Sequence, residues 1–267
     1  MTANRLIQPP PRSSLLGTVL ICTAAILLSI LSFSPSVNIW FAALGALLFA
    51  AALFVKDPPA ISISLFLLTF ALCPFLHPSL RNWPFNLLAP IILYLVVVLA
   101  VPRFRRSLQW LRAGRFGKDI VVLVIATSVV SGVALYLWYR LLRPDLGIHL
   151  AYLPEMRPWL FPLAGLGFAM GNAAMEEFVF RGLIMESLDS AFGAGPMSIA
   201  VQAWLFGALH FLKGFPNGWW GLAMTVVYGV LLGVIRRRSQ GMVAPWLAHV
   251  CADLVIFAIL AGIVLQA

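Results

Sequence analysis

Three short stretches of this 267-residue chain place polar, reactive side chains in otherwise apolar surroundings. The first, Met175-Glu176-Glu177-Phe178-Val179-Phe180-Arg181, sets two adjacent carboxylates and an arginine in a hydrophobic run. The second, Phe206-Gly207-Ala208-Leu209-His210, ends in an imidazole. The third, His249-Val250-Cys251-Ala252-Asp253, spaces an imidazole and a carboxylate four residues apart. On a helix that spacing puts His249 and Asp253 on one face, and Glu177 with Arg181 on another. Glu176 is rotated by about 100° from Glu177, so the same arginine does not neutralise it. Asn172 stands one turn earlier on the Glu176 face. A carboxylate left without a cation in a low-dielectric site suits a general base. An imidazole beside a carboxylate can be oriented by it, or can join it around a water or a metal. Together the three stretches hold the parts of a hydrolase: a base for water, a proton shuttle and donors for an oxyanion. The same residues could supply a zinc site of two histidines, a carboxylate and an open water position. No H-E-x-x-H stretch is present, so the usual helical zinc-protease signature is absent.

The elements that must carry these groups are membrane helices. Hydrophobic residues make up 62% of the chain and charged ones 10%, with a mean hydropathy of +0.98. An ordinary soluble domain has about 25% charged residues. That balance excludes disorder and a soluble globular fold, and leaves a polytopic membrane protein. Nine apolar segments follow one another, at 15–34, 37–55, 60–76, 85–101, 120–139, 158–187, 196–212, 217–235 and 242–265. The runs are continuous and lack period-2 alternation, so the expected fold is an all-α transmembrane bundle of about nine spans. The first run is long and leads through Ser34-Pro35-Ser36 straight into a second, which reads as a retained helix rather than a cleaved signal. A charged side chain within a span costs at least ~2.5–3.5 kcal/mol, so the three stretches call for a functional explanation. A polar helix end at the membrane surface is the ordinary alternative for the first, and packing for a lone His210.

Charge placement gives an orientation. The formal net charge is +9. With the N-terminus inside, the inner connections hold Arg5, Arg12, Lys56, the basic stretch from Arg103 to Lys118 and Arg236-Arg237-Arg238. The outer connections hold fewer cations: Arg81, Arg140, Arg143, Arg157 and Lys213. The asymmetry predicts a cytoplasmic N-terminus and accounts for the basic balance without nucleic acid. Residues 103–118 read as a positive-inside loop on that face, with a short amphipathic segment as the alternative. Cys22, Cys73 and Cys251 sit inside apolar runs without C-x-x-C spacing, which supports neither a disulfide framework nor a thiolate zinc site. His77 and His149 fall near segment ends and read as structural.

In this order, the three stretches resemble the CAAX protease and bacteriocin-processing family of intramembrane endopeptidases. Glu176 to Arg181 resembles its EExxxR motif, Phe206 to His210 its FxxxH motif, and His249 to Asp253 its third motif, usually HxxxN. The resemblance covers roughly residues 155–265. It implies a division into N-terminal helices with a basic loop, 1–150, and a catalytic transmembrane core, 151–267. It also implies that Glu176 and His210 activate a water, that His249 with Asp253 stabilises the oxyanion, and that Glu177 and Arg181 fix the helix and the Glu176 carboxylate. Asp253 departs from the commoner Asn: an ionised Asp cannot donate to an oxyanion, so it either stays protonated or orients His249. A glutamic-type protease without cofactor is favoured over a zinc-dependent one. The expected substrate is a membrane-associated protein or peptide, and the expected location is a prokaryotic plasma membrane. A non-enzymatic protein of the same fold and a proton-coupled transporter are the rival readings; the latter would call for inverted repeats, which the chain does not display. Hydropathy places Glu176 mid-helix and His210 near a helix end, so convergence on one water needs tilt or an offset seventh helix.

Overall fold

The structure, a computed structural model, describes residues 12–33, 39–153 and 155–266, without the side chains of 32, 33 and 213. Arg5, the Ser34-Pro35-Ser36 stretch and the Lys213 side chain, all used in the sequence argument, lie outside the described residues. Among the described residues every regular element is helical. The helices are α1 (Leu15–Phe33), α2 (Ile39–Val55), α3 (Pro58–Leu76), α4 (Phe85–Ala100), α5 (Lys118–Leu142), a single turn α6 (Gly147–Leu150), α7 (Phe161–Glu177), α8 (Met185–Phe192), α9 (Pro196–Lys213), α10 (Gly218–Ser239) and α11 (Val243–Gln266). In their described residues the nine apolar segments are helical. Four of the helices (α3, α5, α10 and α11) are long and apolar enough to cross a membrane, and α1, α2, α4 and α9 contribute shorter apolar stretches. The chain is an integral membrane protein of the all-α, polytopic class.

The sixth segment differs from the single long helix expected over 158–187. A 3-10 turn at Pro158–Leu160 leads into α7; α-helical geometry ends at Glu177, and Phe178–Ile184 forms a π-helix before α8. A π turn closes i→i+5 hydrogen bonds, one residue wider than an α turn, and occurs mostly at functional sites. Here it begins directly after the paired glutamates.

The helices group into two compact units. One takes the chain up to Gln109 together with Gly182–Leu205. Within it α3 is the inner helix, packed against α1, α2, α4 and α8. Pro58 and Pro59 start α3 because a first-turn residue needs no amide hydrogen, and Asp57 caps it by accepting from the Ala60 amide at 3.2 Å. The same carboxylate accepts from Ser13 Oγ at 3.1 Å and the Ser14 amide at 3.2 Å, tying the start of α1 to the start of α3.

The second unit takes Trp110–Arg181 and the chain from Phe206 onward. Here α11 is central, with α5, α7 and α10 against it. Only 17% of the most apolar window of α5 is buried, against 50% for α11. The open side of α5 is Val121, Val122, Ile125, Val129, Val130 and Val133, a surface that fits lipid and not water.

The basic stretch 103–118 is not one amphipathic helix. It is a 3-10 turn, Pro102–Leu108, followed by an irregular strap. Gly114, at φ +88°, lets the strap lie against Gly241 at the α10–α11 turn, where a side chain on either glycine would collide with backbone. The Arg115 amide donates to Ser239 O at 2.8 Å, the Met242 amide to Arg112 O at 2.8 Å, and Arg115 Nε to Arg238 O at 3.0 Å. Backbone pairing fixes the strap, and its side chains leave Trp110 fully buried with its ring centroid 5.0 Å from that of Phe178.

Candidate active site

All the candidate residues fall in the second unit, on α7 and the turn after it, the latter part of α9, and α11. Glu176 and Glu177 occupy the last turn of α7, both buried. The Glu177–Arg181 pair forms as the spacing predicts, with Nη1 3.0 Å from Oε1 and both side chains almost fully withdrawn from solvent. Arg181 Cζ also lies 4.2 Å from the Phe206 ring centroid, a cation–π contact. No guanidinium nitrogen has a well-aligned hydrogen-bond acceptor, so the group is held by charge and by the ring face.

Glu177 does not reach toward Glu176. Adjacent residues on a helix diverge by about 100°, and Glu177 faces α11 instead. There its Oε1 accepts from His249 Nδ1 at 2.8 Å. Because the acceptor is a carboxylate oxygen, Nδ1 carries the proton, and His249 Nε2 is turned to the opposite side. That nitrogen lies 3.5 Å from Glu176 Oε2 and 3.7 Å from Asp253 Oδ1. These separations are longer than a well-formed hydrogen bond and leave Nε2 beside both carboxylates.

His210 is partly buried, with Nδ1 donating to Phe206 O at 2.9 Å one turn back, which leaves Nε2 as the outward nitrogen. It lies within electrostatic reach of Glu176, His249 and Arg181. Phe206 joins the two imidazoles, with its ring centroid 4.7 Å from His210 and 5.8 Å from His249. Two glycines bring His210 to this place. A Cβ on Gly207 would run into Val226 and Leu222 O of α10, and one on Gly214 would run into the His210 side chain itself. His149, expected to be structural, is buried, and its Nε2 donates to Gly214 O at 2.8 Å, fixing the turn that follows α9.

Two polar residues near these groups were not among the sequence candidates. Asn172 shares the Glu176 face by sequence spacing; its Nδ2 donates to Glu176 Oε1 at 3.3 Å and to Asp253 Oδ2 at 3.1 Å. Tyr228 of α10 carried no sequence signal, being one aromatic in an apolar helix. Its ring stands edge-on to His249 at 5.6 Å, and its hydroxyl donates to Ala248 O at 3.1 Å.

A zinc ion would need three or four donors converging at about 2.0–2.3 Å. Among the described residues no three His, Cys, Asp or Glu side chains are arranged to hold a metal. The amide hydrogens of Asn172 point at the carboxylates such an ion would use, and Glu177 is already paired with Arg181. What the site offers is a buried carboxylate oxygen facing an imidazole nitrogen, with a second carboxylate behind it and another imidazole nearby.

No curated protein and no solved structure matches the chain. Residues 158–255 match the family described as type II CAAX prenyl endopeptidase Rce1-like, a span that contains all six candidate residues. That region, with its paired glutamates, FxxxH stretch and final His-x-x-x-Asp, is what makes the chain similar to type II CAAX prenyl endopeptidases.

Proposed function

We propose that the chain is a glutamic-type intramembrane endopeptidase that hydrolyses a peptide bond of a membrane-associated protein or peptide. Glu176 Oε2 takes a proton from a water molecule as the water oxygen attacks the scissile carbonyl. His210 Nε2 assists in that proton transfer. His249, as the imidazolium, donates from Nε2 to the oxyanion, with Asp253 orienting it. Glu177, paired with Arg181, holds the His249 ring in direction through Nδ1, and so acts as a positioning residue. The observation that carries this reading is the placement of His249 Nε2 opposite both Glu176 and Asp253 while Nδ1 is held by Glu177. The Asn172 amide on both carboxylates and the pairing of Glu177 with Arg181 support the glutamic type over a metal-dependent one.

The larger number of cations in the expected inner connections supports a cytoplasmic N-terminus, and short connections support a prokaryotic plasma membrane. The test is substitution of Glu176, His210 or His249 by Ala, each assayed in proteoliposomes on an internally quenched, prenylated CAAX peptide. Each variant is expected to insert and fold while losing hydrolysis by at least about a hundredfold, the scale of general acid–base catalysis. Full hydrolysis by Glu176→Ala would remove Glu176 from the reaction.

A further inference from the structure

Two carboxylates face one imidazole nitrogen in this site. Glu176 comes from α7 and Asp253 from α11, and both are buried. Left to themselves, like charges this close repel, and the pair would share a proton or swing apart. The side chain that meets both is Asn172. Its amide nitrogen donates to one oxygen of each, Oε1 of Glu176 and Oδ2 of Asp253. In each carboxylate the other oxygen is the one nearer His249 Nε2. Glu176 Oε2 is buried and has no hydrogen-bond donor of its own.

We propose that Asn172 is the positioning residue that selects Oε2 of Glu176 as the proton-accepting atom and holds Asp253 in its place beside His249. This rests on the reading of Glu176 as the base. An amide spanning two carboxylates does two things that neither His249 nor Arg181 does. It satisfies one lone pair on each with a neutral donor, so no second cation is needed in the site. It also fixes the side-chain torsion of Glu176, because Oε1 is anchored one helical turn back at position 172. The free oxygen is thereby aimed at the space in front of His249. In the reaction, the water O–H proton passes to Oε2 as the new C–O bond forms and the carbonyl pair moves onto oxygen. The same proton then leaves Oε2 for the amide nitrogen as the C–N bond breaks. Oε1 keeps its bond to Asn172 throughout, so the carboxyl group does not rotate between the two transfers.

The experiment compares the parent with Asn172→Ala, Asp253→Asn, the double variant, and Glu176→Ala, all in proteoliposomes with the quenched prenylated peptide. The expected result for Asn172→Ala is a kcat lower by about 10- to 100-fold, the scale of one lost charge-assisted hydrogen bond, with KM within about twofold. Asp253→Asn in the Asn172→Ala background is expected to recover part of that loss, because it returns an amide beside Glu176 from the other helix. Infrared difference spectra provide a readout that needs no substrate: the carboxylate stretch assigned by Glu176→Gln should shift in Asn172→Ala. Unchanged kcat and an unshifted stretch in Asn172→Ala, with Glu176→Ala inactive, would overturn the role of Asn172 alone. A loss confined to KM or to protein abundance would also overturn it. Activity in Glu176→Ala would instead overturn the reading of the base.

Discussion

Arg181 offers a perturbation that separates stability from chemistry. Its side chain and that of Glu177 are withdrawn from solvent, and the guanidinium has charge and ring partners but no well-aligned hydrogen bonds. Removing one member of a buried ion pair leaves the other charge uncompensated, which costs about 3–5 kcal/mol. Part of that is the cation–π contact with Phe206, worth about 2 kcal/mol when desolvated. Arg181→Met should therefore lose about 3–5 kcal/mol, a large share of an ordinary domain's stability. A poorly hydrogen-bonded buried pair can be replaced by apolar residues at little cost. Glu177→Leu combined with Arg181→Met should then return to within about 1–2 kcal/mol of the parent. It should nonetheless stay inactive, because His249 Nδ1 loses the acceptor that sits at 2.8 Å. Reversible unfolding in mixed mild and denaturing detergent measures the first quantity, and hydrolysis of the quenched peptide the second. An Arg181→Met variant within about 1 kcal/mol of the parent would refute the burial argument. A double variant that hydrolyses at the parent rate would refute the positioning role of Glu177.

Gly207→Ala should cost about 1–3 kcal/mol by overpacking against Val226 and Leu222 of α10, read in the same unfolding assay. Gly214→Ala should lower kcat by displacing the His210 side chain it would touch, and a parent-like rate would show that His210 has room to spare. On the proposed glutamic-type reading, incubation with a strong chelator should leave hydrolysis intact; zinc at one equivalent in purified, active protein, measured by mass spectrometry, would reverse that expectation.

The site was legible in the sequence to the extent that its residues lie on helices whose spacing is local. The Glu177–Arg181 pair and the shared face of Asn172 with Glu176 follow from a four-residue repeat, and both contacts form. The partner of Glu177 on α11 is not legible for the same local reason: the sequence shows that it diverges from Glu176 but not which helix it meets. The link between Asn172 and Asp253 crosses 81 positions of chain, and that between Glu177 and His249 crosses 72. No helical period carries information over such separations.

Composition and hydrophobic run length alone determined that the chain is helical and membrane-embedded, because a bilayer leaves an apolar segment no other way to satisfy its backbone. The order of polar residues within those runs marked the six candidates. Tertiary structure decided the rest: the π turn after Glu177, the docking of α7 on α11 that puts His249 between two carboxylates, and the strap that buries Trp110 beside Phe178. These depend on side chains from distant helices filling one another's spaces. In a chain with 62% hydrophobic residues, many pairings of helices look equally apolar until their shapes are matched.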